Sequence, residues 1–85
     1  MDRERMISLL DPPTIVSLLK VYNLGYKNLA LLFRCTRQNV VHLLKYNKLS
    51  KYQKKLVLEL FEQYGLEAAE LVLIHHMTRK VNQLT

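Results

Sequence analysis

Apolar residues in this chain recur every three or four positions, the spacing of one helix face, and nowhere alternate with polar residues for long. The first clear stripe is Ile15, Leu18, Leu19 and Tyr22. Asp11-Pro12-Pro13-Thr14 opens it. An aspartate there accepts from the free N–H groups of the first turn, where the missing donor of proline is not needed. Asn23-Leu24-Gly25 closes the stripe, with Gly25 free to take a positive φ. Residues 26–33 predict a short second helix with Leu29, Ala30 and Phe33 on one side, and Arg34-Cys35 turns the chain. Thr36 then caps a third helix over residues 37–45.

Asn47 suits a left-handed loop position, and Ser50 with Gln53 forms an S-x-x-Q capping box that starts a fourth helix at Lys51. Its inward stripe is Leu56, Val57, Leu60, Phe61 and Tyr64, and Gly65 stops it. The fifth helix, residues 66–84, carries two apolar sets. Leu66, Ala69, Leu73, Met77, Val81 and Leu84 form one; Ala68, Leu71, Val72 and Ile74 form the other. One side packs on the domain and the other is available to a partner. Residues 1–11 read as a short separate helix or an arm. The expected fold is therefore all-α, a compact bundle of about five helices forming one domain over residues 12–85.

Eighty-five residues, 49% hydrophobic and 24% charged, fit one globular domain with a modest core. Apolar runs such as Leu71-Val72-Leu73-Ile74 fall far short of the ~20 residues that cross a bilayer. Met1-Asp2-Arg3-Glu4-Arg5 has no cationic region leading into an apolar run, so no secretory signal and no membrane association are expected. Cys35 is the single cysteine, which excludes an internal disulfide and makes the cytoplasm the expected compartment.

Charge changes the picture more than composition does. The net charge of +6 divides into +9 over residues 12–58, which contain no acid at all, and −3 over the two ends. Nine bases without an intervening acid repel one another in a folded middle, which points to a polyanionic partner. Enzymatic apparatus is missing. His75 and His76 are neighbours on a helix and diverge by ~100°, and no Cys-x-x-Cys or His-x-x-x-His spacing exists, so no metal is expected. Ser8, Ser17 and Ser50 lie in no nucleophile elbow, and neither glycine sits in a phosphate loop. No cofactor is expected.

Rotation by 100° per residue turns Val40, Leu43 and, less centrally, Leu44 of the third helix inward. It turns Gln38, Val41, His42 and Lys45 outward, with Arg37 and Asn39 flanking them. Such a face is suited to the major groove of DNA. Gln or Asn pairs bidentately with adenine, Arg pairs with guanine, and a small apolar group touches the thymine methyl.

The run from Tyr26 to Leu43 resembles the helix-turn-helix of the lambda-repressor and Cro-like regulators, found in phages and mobile elements. Ala30 stands at the fifth motif position, where that family keeps a small residue because the helices cross closely. Val40 and Leu43 match the aliphatic fifteenth and eighteenth positions, and Thr36 matches the cap of the recognition helix. Two positions depart from the pattern. Arg34 replaces the usual turn glycine, so it either adopts the left-handed conformation or the turn differs. Lys45-Tyr46-Asn47 replaces the Glu-x-Gly step after the recognition helix.

The resemblance implies a lambda repressor-like DNA-binding domain in which Arg37, Gln38, Val41 and His42, with Asn39 beside them, read bases. Lys27, Lys45 and Lys48 fall near phosphates, and Arg34, Thr36 and Lys51 extend that set. One such motif reads a half-site, so pairing of two copies through Leu73, Met77, Val81 and Leu84 is the expected route to a palindromic operator. The expected function is a repressor of transcription binding double-stranded DNA as a homodimer, with RNA polymerase or a phage or host regulator as a possible protein partner. The rival reading keeps the same fold but uses its surfaces to bind and inhibit another protein, as an antirepressor does.

Overall fold

Six helices follow one another in a computed structural model that describes residues 2–84, with side chains through Arg79. They are α1 (Arg3–Ser8), α2 (Pro12–Val21), α3 (Tyr26–Phe33), α4 (Arg37–Lys45), α5 (Lys51–Gln63) and α6 (Ala68–Leu84). No strand occurs among the described residues. The radius of gyration, 12.1 Å, is what a single folded body of this length requires, about 12 Å. No helix is long and apolar enough to cross a membrane.

The N-terminal caps follow the side-chain chemistry. Asp11 Oδ1 accepts from the Thr14 N–H at 3.0 Å, and Thr36 Oγ1 from the Asn39 N–H at 3.1 Å. Ser50 and Gln53 bond reciprocally, at 3.1 and 2.9 Å. α1, too short to show a period, is nevertheless a helix capped by Asp2, and it buries Met6 and Ile7. Two ion pairs, Arg3–Glu62 at 3.0 Å and Lys51–Glu4 at 2.9 Å, fasten it beside α5.

Four of the helix ends share one device. At Asn23, Arg34, Asn47 and Gly65 the backbone turns left-handed, with φ of 56°, 55°, 52° and 102°. The next residue then donates its N–H back across five positions: Leu24 to Leu19, Cys35 to Ala30, Lys48 to Leu43 and Leu66 to Phe61. The first of these differs from the sequence expectation. Asn23, not Gly25, takes the positive φ, because asparagine tolerates that region. Gly25 sits at an ordinary φ of −127° as the N-cap of α3, its N–H donating to Asn28 Oδ1 at 2.9 Å.

The core contains Leu10, Ile15, Leu18, Leu29, Val40, Val57, Leu58, Phe61 and Leu71, all fully buried. α5 is covered by both α1 and α3, so its buried arc is wider than one stripe. Leu58 is therefore buried, although the expected stripe omits it, and Tyr64 at the stripe's edge is exposed. α6 starts at Ala68, two residues later than expected, since Leu66 is consumed in the preceding turn and buried there. Tyr22 stacks on Phe61 with ring centroids 5.8 Å apart, and burial together with the nearby Glu70 carboxylate pushes its phenol pKa up.

α6 docks on α2 through a polar link. His75 is buried, and its Nδ1 lies 3.1 Å from Thr14 Oγ1 and 3.5 Å from Asp11 Oδ2. Thr78 Oγ1 donates to the His75 carbonyl at 2.8 Å. The histidine thus ties α6 to the capped start of α2.

Left-handed backbone costs a side-chain-bearing residue about 1–2 kcal/mol, part of which glycine returns through unfolded-state entropy. Arg34→Gly is expected to raise the unfolding free energy by about 0.5–1 kcal/mol, and Gly65→Ala to lower it by at least about 1 kcal/mol, both read from urea melts.

Candidate nucleic-acid interface

α3 and α4 cross closely, and the reason is local. Ala30 of α3, 7% exposed, and Val40 and Leu44 of α4 are all buried in the one core, where the two helices pack on each other. The connection is Arg34-Cys35-Thr36 alone. Arg34 reverses the chain in the left-handed conformation, which decides between the two alternatives the sequence leaves open. Thr36, extended at φ −83° and ψ 160°, then caps α4.

On α4 the buried residues are Val40 and Leu44, while Leu43 is only partly buried. The inward face is thus centred about one position further round than rotation from an ideal period suggests. Arg37, Gln38, Asn39, Val41, His42 and Lys45 are all exposed. They do not form one uniform surface, however. Gln38 and His42, one turn apart, occupy the middle of the free side. Val41 and Lys45 turn toward α2 and α6, where they border an apolar groove. At the helix end His42 packs against Tyr46, with centroids 4.7 Å apart, and the Lys45 ammonium lies 5.5 Å over the same ring.

Lys27 at the start of α3, Arg34 and Thr36 in the turn, and Lys48 after α4 are likewise exposed and flank this face. The macrodipole of α4 points its positive end toward Thr36 and Arg37, which favours an anion there. Lys51 differs from the other cations. Its ammonium is already paired with Glu4, an acid outside the acid-free stretch that α1 brings back in space. The pair is exposed and weak, so a phosphate would have to displace only a solvent-screened partner.

Of the second expected surface, Leu73 and Met77 lie on the outer side of α6, 60% and 57% exposed. Val81 and Leu84 fall outside the residues whose side chains are described. Leu71 and His75 form the inner side, so the helix does present one packed and one free face. Among the described residues no three His, Cys, Asp or Glu side chains lie close enough to share a metal ion. His75, singled out by its neighbour His76, instead hydrogen-bonds in the core; the threonine at position 14, in a phase otherwise apolar, was the one sign of a buried polar partner.

Two substitutions test the geometry of this helix pair. Thr36→Ala removes the cap and is expected to cost about 1 kcal/mol. Ala30→Leu inserts bulk at the crossing and should cost a further order of about 1–3 kcal/mol, with near-ultraviolet dichroism of the tyrosines reporting the displacement.

Comparison of the chain with known protein families, with curated proteins and with solved structures finds no match, so its function is read from its own residues.

Proposed function

We propose that this protein is a sequence-specific double-stranded DNA-binding regulator that presents α4 to the major groove through a helix-turn-helix formed by α3 and α4. One observation carries the reading: a short, capped helix packed on α3 by Val40 and Leu44, with Gln38 and His42 on its free side and exposed cations on it and on the segments next to it in sequence. Arg37, Gln38, Asn39 and His42 read base edges, with Val41 at their margin. Lys27, Arg34, Thr36, Lys45 and Lys48 bind phosphates, and Lys51 joins them after releasing Glu4. Exposed Leu73, outside the groove, centres the face through which two copies pair, and a repressor of this size binds a palindromic operator. The rival, an inhibitory protein-binding module, has one observation in its favour: the apolar groove beside Val41 and Lys45.

Selection of bound sequences from a random duplex pool tests the reading directly. A palindromic consensus is expected, and a pool that stays random removes sequence-specific DNA as the partner. Affinity should fall steeply with salt as counterions are released. With ~4–6 phosphates neutralised per dimer, log K against log salt should have a slope of roughly −4 to −5. On the selected sequence Gln38→Ala should cost ~1–3 kcal/mol and relax one position per half-site, whereas Lys48→Ala should weaken all sequences alike. Equal loss on every sequence for Gln38→Ala would place the reading face elsewhere.

Pairing is tested at Leu73, which touches neither the core nor the groove. Leu73→Asp would bury an unpartnered acid at the interface and is expected to yield a folded monomer whose operator binding drops by about 100-fold. Sedimentation of the parent chain as a monomer at high micromolar concentration, with operator binding unaffected by the variant, would contradict it.

A further inference from the structure

An open trough of about 760 Å³ lies between α2, α4 and α6. One wall is formed by Pro12, Val16 and Val21, so it runs the whole length of α2, about 15 Å. Val41 and Leu44 line the α4 side, and Ile74 and Met77 the α6 side. Val21, Val41 and Met77 are each more than two-fifths exposed, a contiguous apolar surface that soluble proteins seldom leave to water without use. The lining of the trough is mostly apolar, with Ser17, Thr78, the Tyr26 phenol and Lys45 as the polar exceptions, so it offers the polar groups of a small compound few partners. Its length and shape suit about three turns of a helix instead, laid in by apolar residues at i, i+3 or i+4, and i+7.

Charge restricts what kind of helix this can be. Lys45 lines the trough itself, and Lys20 and Lys27 are next in sequence to its lining residues Val21 and Tyr26; all three are exposed. None of them is in an ion pair among the described residues. The two nearby acids are engaged already. Asp11 accepts from the Thr14 N–H and faces His75, and Glu70, at the Tyr22 end, accepts from the Glu67 N–H at 3.3 Å. A second copy of the chain, net +6, would bring cations to a cationic rim.

The geometry points to this trough as the docking site of an amphipathic helix of another protein, apolar on one face and flanked by aspartate or glutamate. Because Val41 and Lys45 belong both to the trough and to α4, such a helix covers the margin of the DNA-reading face, and binding of the two is mutually exclusive. This second clause rests on the DNA reading; the docking itself does not.

The test is selection of displayed random peptides, about five helical turns long, against the full chain. The expected consensus has apolar residues at helical spacing and acids on the flank. Fluorescence anisotropy with the synthetic consensus peptide should show affinity reduced about tenfold by Val21→Glu and by Lys45→Glu, each confirmed as folded by its helical dichroism. Absence of a consensus, a consensus without acids, or binding indifferent to Val21→Glu would overturn the proposal. So would a solution dimer that Val21→Glu dissociates, since the trough would then hold a second copy. Adding the peptide to the complex with the selected duplex should release the DNA. Peptide bound alongside DNA would refute exclusion alone, and failure of DNA binding would leave the peptide measurements standing.

Discussion

Every helix end leaves backbone N–H or carbonyl groups without an intrahelical partner, and a chain built of short helices meets that demand often. Here the ends, more than the helices, determine the shape. Four left-handed residues close four helices with the same pair of backward hydrogen bonds, and polar caps reopen the chain within a few residues. Turns this short cannot let successive helices drift apart. They keep α3 packed on α4, and they leave Thr36 in the extended conformation that a cap needs. The exposed face of α4 is thus a by-product of how α3 stops.

Most of this was legible in the residues, because caps and turns are local chemistry. Asp11, Thr36, Ser50 with Gln53, Asn47 and Gly65 all do what their side chains dictate. Gly25 misled for an instructive reason: a glycine near a helix end competes with any asparagine just before it, and Asn23 was reached first. What stayed hidden depends on distant partners. Leu58 is buried only because α1 and α3 approach α5 from different sides. His75 finds Thr14 and Asp11 sixty or more positions away, a meeting that no spacing within α6 discloses. Of the candidate interface, the exposed polar face of α4 was readable from rotation, but the division of that face was not. Val41 and Lys45 border a trough whose other walls come from α2 and α6.

Charge shows the same limit. Along the chain the middle carries no acid, yet in space α1 returns Glu4 to Lys51 and Arg3 to Glu62. The other bases of the middle are in no ion pair among the described residues. Five of them, Lys27, Arg34, Arg37, Lys45 and Lys48, belong to α3, α4 or the segments that end them, while Lys20 is on α2 and Lys54 and Lys55 are on α5. A linear charge count therefore misses that one lysine of the acid-free stretch, Lys51, has an acid beside it in space.

The link between His75 and the start of α2 also sets an order of events. Helices α3 and α4 meet through a turn of three residues, whereas α6 reaches α2 only after most of the chain has been placed between them. Closing so large a loop costs more chain entropy than closing the turn between α3 and α4, so the contacts of α6 are expected to form after that turn. Local opening of this kind is graded, with the least tightly joined unit leaving before the rest. Opening of α6 would remove one wall of the trough, because Ile74, Met77 and Thr78 line it, whereas none of those residues belongs to the turn between α3 and α4. The protein can thus lose its groove by a partial unfolding and keep its α4 face.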